Sequence, residues 1–390
     1  MNTSLLEFLE CPVCHTSIKY KVLGIGYPNE QEIIAGTLVC KKNHRFAIEN
    51  GIPMLRANQK MEIRGYEDTK INDNENYSTL PLKQRQKRVK ALVKKLIHVE
   101  RARTRYAKGI LERDIDYRTN YSRKDKYVEL IRQEMKILGD EDTRRRGDKD
   151  VRILGNRGIR VQTILELGIG QGGFATSLKE GFKPTKMIGL DYDPDWARVA
   201  KLTDPSIDVI VGDATNLPIK SGSIDLVAAA YLLEHIRDWK TVIDQAQRVG
   251  THSFFIWSPN KNFPWDYGHF RNAPLLPWLP ASIGQYIAWG IAHAKGFNDT
   301  LGQCRNEIET MNYVSPGQFE NYLRTKQITY RDSFLPFVWM TLDQSYQYWR
   351  LARLLKAMKP LAMVFFSILH VLHVQPMLVY FLNHPKGSRR

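Results

Sequence analysis

Three acidic residues stand at or near the end of short apolar runs. They are Glu166 in Ile164-Leu165-Glu166-Leu167, Asp191 after Met187-Ile188-Gly189-Leu190, and Asp213 after Val209-Ile210-Val211-Gly212. Apolar runs that close on carboxylates suit parallel strands whose C-terminal ends form one ligand crevice. Asp191 lies nineteen residues after Gly172, about where a second-strand carboxylate accepts both hydroxyls of a ribose; Tyr192 follows it. Asp213, with the Ala214 amide, suits the edge of an adenine. After the first acid, Gly168-Ile169-Gly170-Gln171-Gly172-Gly173 places four glycines in six positions. That loop offers a ligand backbone that no Cβ shields. Gly168, Gly170 and Gly172 are its expected contacts, and Glu166 is expected to orient the loop and a ligand amino group.

Two further sets of residues could do chemistry. Cys11-Pro12-Val13-Cys14 is followed, after twenty-five residues, by Cys40 and then His44. A Cys-x2-Cys knuckle aims two thiolates at one metal, and Cys40 with His44 can close a tetrahedron around zinc. Four protein ligands leave no open position, so the metal would be structural. His235 and His269 are candidate general bases, since a group with a pKa near neutrality suits removal of a hydroxyl proton. The plainer readings are a helix-start histidine and a solvated loop histidine. Cys304 stands alone and reads as an ordinary thiol.

The elements that must position these groups follow from the apolar runs. A fourth run, Ser223 to Ala230, leads into Tyr231-Leu232-Leu233-Glu234-His235-Ile236, and a fifth spans Ser253 to Trp257. The glycine loop alone fits either a nicotinamide cofactor or S-adenosylmethionine. The full register is more telling: "LELGIGQGG", "GLDYDPDWARVAK", "VGDATNLPIKSGSIDLV" and "LLEHI" resemble, in order and spacing, the class I S-adenosylmethionine-dependent methyltransferases. The resemblance covers residues 160 to 260. It implies a doubly wound, seven-stranded, mostly parallel α/β sheet and S-adenosylmethionine held by Glu166, Gly168, Gly170, Gly172, Asp191, Tyr192, Asp213 and Ala214. The segments "LLEFLECPVCHTSI" and "LVCKKNHRFAIENGIPML" resemble the small zinc ribbons that accompany methyltransferases. They depart from the commoner second Cys-x2-Cys knuckle. A similar Cys3His arrangement precedes the catalytic domain of bacterial ribosomal RNA guanine methyltransferases.

Length and composition allow three units: a ribbon at 1–58, a polar linker and basic helical region at 59–150, and a catalytic domain at 151–390 with an aromatic lid insertion at about 260–312. The 390 residues carry a formal net charge of +16. Within the Lys83–Lys108 segment Val89, Leu92, Val93, Leu96 and Ile97 form one helical stripe among the bases. Such a helix can pack on the catalytic domain, lie on an anionic membrane or track RNA phosphates. Arg144-Arg145-Arg146 reads as solvated loop. No signal peptide is expected, because Glu7 and Glu10 interrupt Leu5, Leu6 and Leu9; a cytoplasmic chain is expected, possible membrane contact being peripheral.

The C-terminal part bears on the methyl acceptor. Trp265, Trp278 and Trp289, among Pro264, Pro274, Pro277 and Pro280, read as an aromatic lid, with a helix over Ser282–Lys295. The uncharged run from Pro360 to Pro385 is not read as a span: Pro376 divides it and basic residues flank both ends. It divides instead into the end of a long helix, Tyr346–Val374, and a last strand, Met377–Leu382. Ser315–Lys326 and Gln327–Asp332 read as the helix and strand before them. The fourth strand lacks the Asn/Asp-Pro-Pro-aromatic motif that holds a planar amine. The expected reaction is therefore methyl transfer to an oxygen or carbon of a small or lipid-linked acceptor. An RNA methyltransferase and a non-catalytic cofactor- or partner-binding scaffold are the alternatives.

Overall fold

The computed structural model describes residues 1–21, 33–57, 77–116, 125–146, 161–257, 259–266, 269, 273–343 and 358–384. Four short strands open the chain: β1 (Ile18–Lys21), β2 (Gly36–Cys40), β3 (Arg45–Glu49) and β4 (Ile52–Leu55). Helices α1 (Leu82–Leu96), α2 (Arg105–Asp116) and α3 (Asp125–Arg146) follow. The alternating part comprises β5 (Thr163–Leu167), α4 (Gly173–Phe182), β6 (Lys186–Asp191), α5 (Pro194–Thr203), β7 (Asp208–Gly212), β8 (Ile224–Ala230), α6 (Trp239–Val249) and β9 (Gly250–Trp257). Then come α7 (Ala281–Ala294), α8 (Leu301–Thr310), α9 (Pro316–Thr325), β10 (Thr329–Asp332), α10 (Phe334–Asp343), α11 (Lys359–Val371) and β11 (Leu378–Asn383). The expected helix and strand at 315–332 are present, as are the lid helix and last strand. Of the expected long helix, only the part from Lys359 lies within the described residues. The linker centre at 58–76 also lies outside them.

Strands β5 to β11 run in the order β7-β6-β5-β8-β9-β11-β10, with β11 antiparallel to both neighbours. β5 to β9 pair in parallel. β7 is buried along its whole length, as expected of a parallel strand covered on both faces. Helices α6 and α9 cover one face through Trp239, Val242, Ile243, Phe319 and Leu323. The other face carries α3, α4, α5 and α10 through Ile131, Leu178, Ala200 and Phe337.

The sheet does not stop at seven strands. β4 pairs in parallel with β7, Met54 opposite Val211 and Leu55 opposite Gly212, so the ribbon extends it to eleven. The core is shared as well, since Leu5, Leu9, Leu38, Phe46 and Leu55 pack in one cluster with Ile210 and Leu217. Polar contacts seal the junction. Glu10 pairs with Arg248 at 2.9 Å, and Lys186 pairs with Asp208 at 2.8 Å while also donating to the Ser4 hydroxyl. The ribbon therefore does not rest on a core of its own.

The basic region divides between two supports. The α1 stripe of Val89, Leu92, Val93, Leu96 and Ile97 packs on Val199, Leu202 and Trp196 of α5. Of the three settings open to this helix, packing on the catalytic domain is the one observed. Ala102 and Ala107 pack against Ala292 and Phe297 of the lid. α3 belongs to the sheet's outer layer: Glu134 accepts a hydrogen bond from the Ser333 hydroxyl at 2.7 Å and forms an ion pair with Arg331 at 2.8 Å. The backbone at Arg144-Arg145-Arg146 is helical, not loop, because α3 continues to Arg146.

Candidate functional site

The glycine loop leaves β5 at Gly168 and enters α4 through Gly172. Gly168 has a φ of +68°, and a Cβ there would meet Leu232 Cδ1 at 2.8 Å. Leu232 thus presses the segment after β8 directly against the loop. Gly170 has a φ of +50°, and a Cβ there would meet only the Gly168 carbonyl oxygen, at 4.0 Å, so a ligand can approach the backbone at that point. Glu166 is buried one residue before the strand end. Asp191, also buried, accepts from the Gly170 amide at 2.9 Å and, with its other oxygen, from the Asp193 amide at 2.9 Å. It therefore fixes the loop as well as facing the crevice, a second role the spacing did not suggest. Burial pushes its pKa up to about 6, against the pull of those amides. Tyr192 carries the Arg56 guanidinium 5.2 Å from its ring centroid, which brings the end of the ribbon to this strand end. Asp213 accepts from the Thr215 amide at 2.8 Å and hydroxyl at 2.6 Å, closing the turn that holds buried Ala214.

The two candidate histidines come together. Their ring centroids are 5.3 Å apart in an edge-on arrangement. His235 ends the short turn Leu233–His235 after β8; His269 comes from the lid. His269 Nδ1 lies 3.0 Å from Asp266 Oδ1, and the Tyr313 hydroxyl donates to Asp266 Oδ2 at 2.7 Å. That contact assigns the His269 proton to Nδ1 and leaves Nε2 as an acceptor. His235 is exposed at the surface, and the protein packed near it partly desolvates the ring. That desolvation, then the neighbouring His269, lowers its pKa to about 4, with Asp266 opposing. It is therefore neutral at pH 7. Beside it Glu234 is fully buried, and neither carboxylate oxygen has a hydrogen-bond partner among the described residues. Burial holds its pKa well above the carboxylate range; its own amide opposes this and Asp266 adds to it.

Asp266, Tyr313 and Tyr231 carried no signal in the sequence. Tyr231 is a non-glycine residue at φ +60° immediately after β8, and its hydroxyl lies 2.9 Å from that of Tyr127 in α3. Strain of this kind at a strand end over a crevice costs about 1–3 kcal/mol and marks functional positions.

The metal-type residues form a second constellation. Cys14 and Cys40 Sγ are 3.7 Å apart, and His44 Nδ1 lies 3.5 Å from Cys11 Sγ and 3.3 Å from Cys40 Sγ. Tetrahedral zinc with Zn–S of about 2.3 Å and Zn–N of about 2.0 Å demands ligand separations of roughly 3.5–3.8 Å. The Cys14–Cys40 and Cys11–His44 separations match it, the Cys40–His44 one is shorter, and the four ligand atoms, all within 4.8 Å of one another, are a donor set that can hold such an ion. The His44 amide also points at Cys40 Sγ, at 3.3 Å. The Pro12 carbonyl, inside the first knuckle, accepts a 2.7 Å hydrogen bond from the Asn216 side chain.

Strand order, a glycine loop after the first strand and acids ending the next two define the class I methyltransferase fold. Residues 165–253 match the family described as a methyltransferase domain. A probable S-adenosylmethionine-dependent methyltransferase of Mycolicibacterium smegmatis is 27% identical over 143 residues, 36% of this chain and 54% of that protein. A demethylmenaquinone methyltransferase of Lactococcus lactis is 33% identical over 93 residues, 22% of this chain and 37% of that protein. The chain thus spans about half or less of the length of these curated relatives. A methyltransferase structure from Mesorhizobium loti aligns at 16% identity with a TM-score of 0.36, covering 58% of this chain and 93% of the other.

Proposed function

We propose that this chain is an S-adenosylmethionine-dependent methyltransferase acting on an oxygen or carbon of a small or lipid-linked acceptor, with a structural zinc in its ribbon. The observation that carries the reading is the Asp266–His269 pair facing His235, on a segment that Leu232 presses against the glycine loop. The sulfonium cofactor supplies an electrophilic methyl group, so the protein's tasks are orientation and proton removal. Glu166, Gly168, Gly170 and Gly172 hold its amino acid end, Asp191 and Tyr192 the ribose, and Asp213 with Ala214 the adenine. His269 Nε2 would take the acceptor's proton as the bond to the methyl carbon forms and the methyl–sulfur bond breaks, its electron pair staying on the cofactor sulfur. Asp266 fixes its tautomer and stabilises the imidazolium that results. His235, neutral beside it, positions the acceptor. Cys11, Cys14, Cys40 and His44 hold the metal.

The apolar acceptor is supported by the aromatic lid, where Trp265, Trp278 and Tyr286 are about half exposed or more, and by the quinone substrate in the name of the lactococcal relative. The deciding experiment supplies methyl-labelled cofactor to cell extract and fractionates the product. Label in the lipid or small-molecule fraction is expected; label confined to RNA or protein overturns the reading.

A further inference from the structure

α11 rests on α10 by one face only. Ala362 is buried, and the Phe366 and His370 rings lie 6.2 and 5.8 Å from that of Phe334. The opposite face carries Leu361, Val364, Phe365, Ile368, Val371 and Leu372, each 54–75% exposed. Their spacing of three and four residues places them on one continuous stripe without a polar interruption. Soluble monomers seldom leave such a stripe in water without a use for it.

Two observations say what covers it. From residue 344 to the end, the sequence holds seven Lys or Arg and no Asp or Glu. Next to the stripe, Trp339 of α10 is half exposed with the Lys359 ammonium over its ring. An apolar face, a half-exposed tryptophan beside it and a flank whose sequence carries bases but no acids match an anionic lipid surface. A second copy of the chain fits poorly, because it would bring two positive segments together. The 13 described residues of α11 are fewer than the about 20 a span requires. No helix among the described residues is long and apolar enough to cross a membrane.

We propose that α11, with Trp339, docks the protein in the plane of anionic membranes. The proposal deepens the reading of a lipid-linked acceptor, which docking would bring to the lid. The test is co-sedimentation of the full chain with phosphatidylglycerol–phosphatidylcholine vesicles and with phosphatidylcholine vesicles alone. Binding to the anionic vesicles, weakened by salt, is expected. The Leu361→Asp/Phe365→Asp/Ile368→Asp variant should lose about tenfold or more of it while keeping wild-type cofactor affinity by calorimetry. Phe365→Asp alone, the milder change, should lose part. No binding, equal binding to neutral vesicles, or variants that only split a dimer would overturn the proposal. Vesicle binding with label confined to RNA would sink the acceptor reading and leave docking intact. Lipid labelling without vesicle binding would do the reverse.

Discussion

Asn216 holds Pro12. The 2.7 Å bond from its side chain to that carbonyl joins the Cys11–Cys14 knuckle to the turn carrying Asp213 and Ala214. A metal that fixes the knuckle therefore also fixes the backbone expected to read the adenine.

Stripping the metal with a chelator, or Cys11→Ser, should raise the dissociation constant for S-adenosylmethionine. Asn216→Ala alone should raise it by about twofold to twelvefold, the worth of one net hydrogen bond of ~0.5–1.5 kcal/mol. Calorimetry on metal-loaded and stripped protein checks both. Unchanged affinity in the two cases would disconnect the ribbon from the crevice.

The metal content itself is measurable. Elemental analysis should give about one zinc per chain, lost in Cys40→Ser together with order in the ribbon. A folded, metal-free ribbon would show that the shared core suffices.

Asp191→Ala should weaken cofactor binding by about 2 kcal/mol or more, since it removes charge-assisted bonds to the ribose and to Gly170. The wild type should show a pH signature as well. Ribose hydroxyls favour the ionised carboxylate, and the pKa of the free protein is about 6. Affinity should hold above that pH and fall by up to about tenfold per unit below it. A flat profile from pH 5 to 8 would place the ribose elsewhere.

His269→Ala should slow single-turnover methyl transfer by roughly 10²-fold or more, with cofactor affinity unchanged. Asp266→Asn should approach it, because the amide no longer enforces the tautomer. His235→Ala should act chiefly on acceptor KM. Wild-type rates in the first two variants would leave catalysis to positioning alone.

Glu234 gives a stability prediction whose sign follows from burial. Its folded pKa lies above the unfolded one, so its protonated form favours folding and the contribution is lost as pH rises above 4.5 toward the folded value. Glu234→Gln removes that loss. The variant's melting temperature should gain on the parent's with increasing pH, and a gap constant from pH 5 to 9 would contradict the assignment.

Much of this was legible locally. Buried parallel strands read as apolar runs, and Glu166, Asp191 and Asp213 mark where they end. The spacing of Cys11, Cys14, Cys40 and His44 is likewise a short-range signal. Pairings distant in sequence were not legible. Asp266 reaches Tyr313 across a whole helical pair, Tyr127 meets Tyr231 from the polar and basic region at 59–150, and Asn216 finds Pro12 some two hundred residues away. In the sequence His235 and His269 are candidates thirty-four residues apart; the fold places their rings side by side.

The pairing of β4 with β7 has a consequence for anyone dividing the chain. Removing residues 1–57 would uncover a strand that is buried at every position and strip Val211 and Gly212 of their β4 neighbours. An uncovered apolar edge templates pairing with other chains. The isolated catalytic half should therefore aggregate on expression, whatever its acceptor, and the ribbon serves this sheet as its guard against polymerisation.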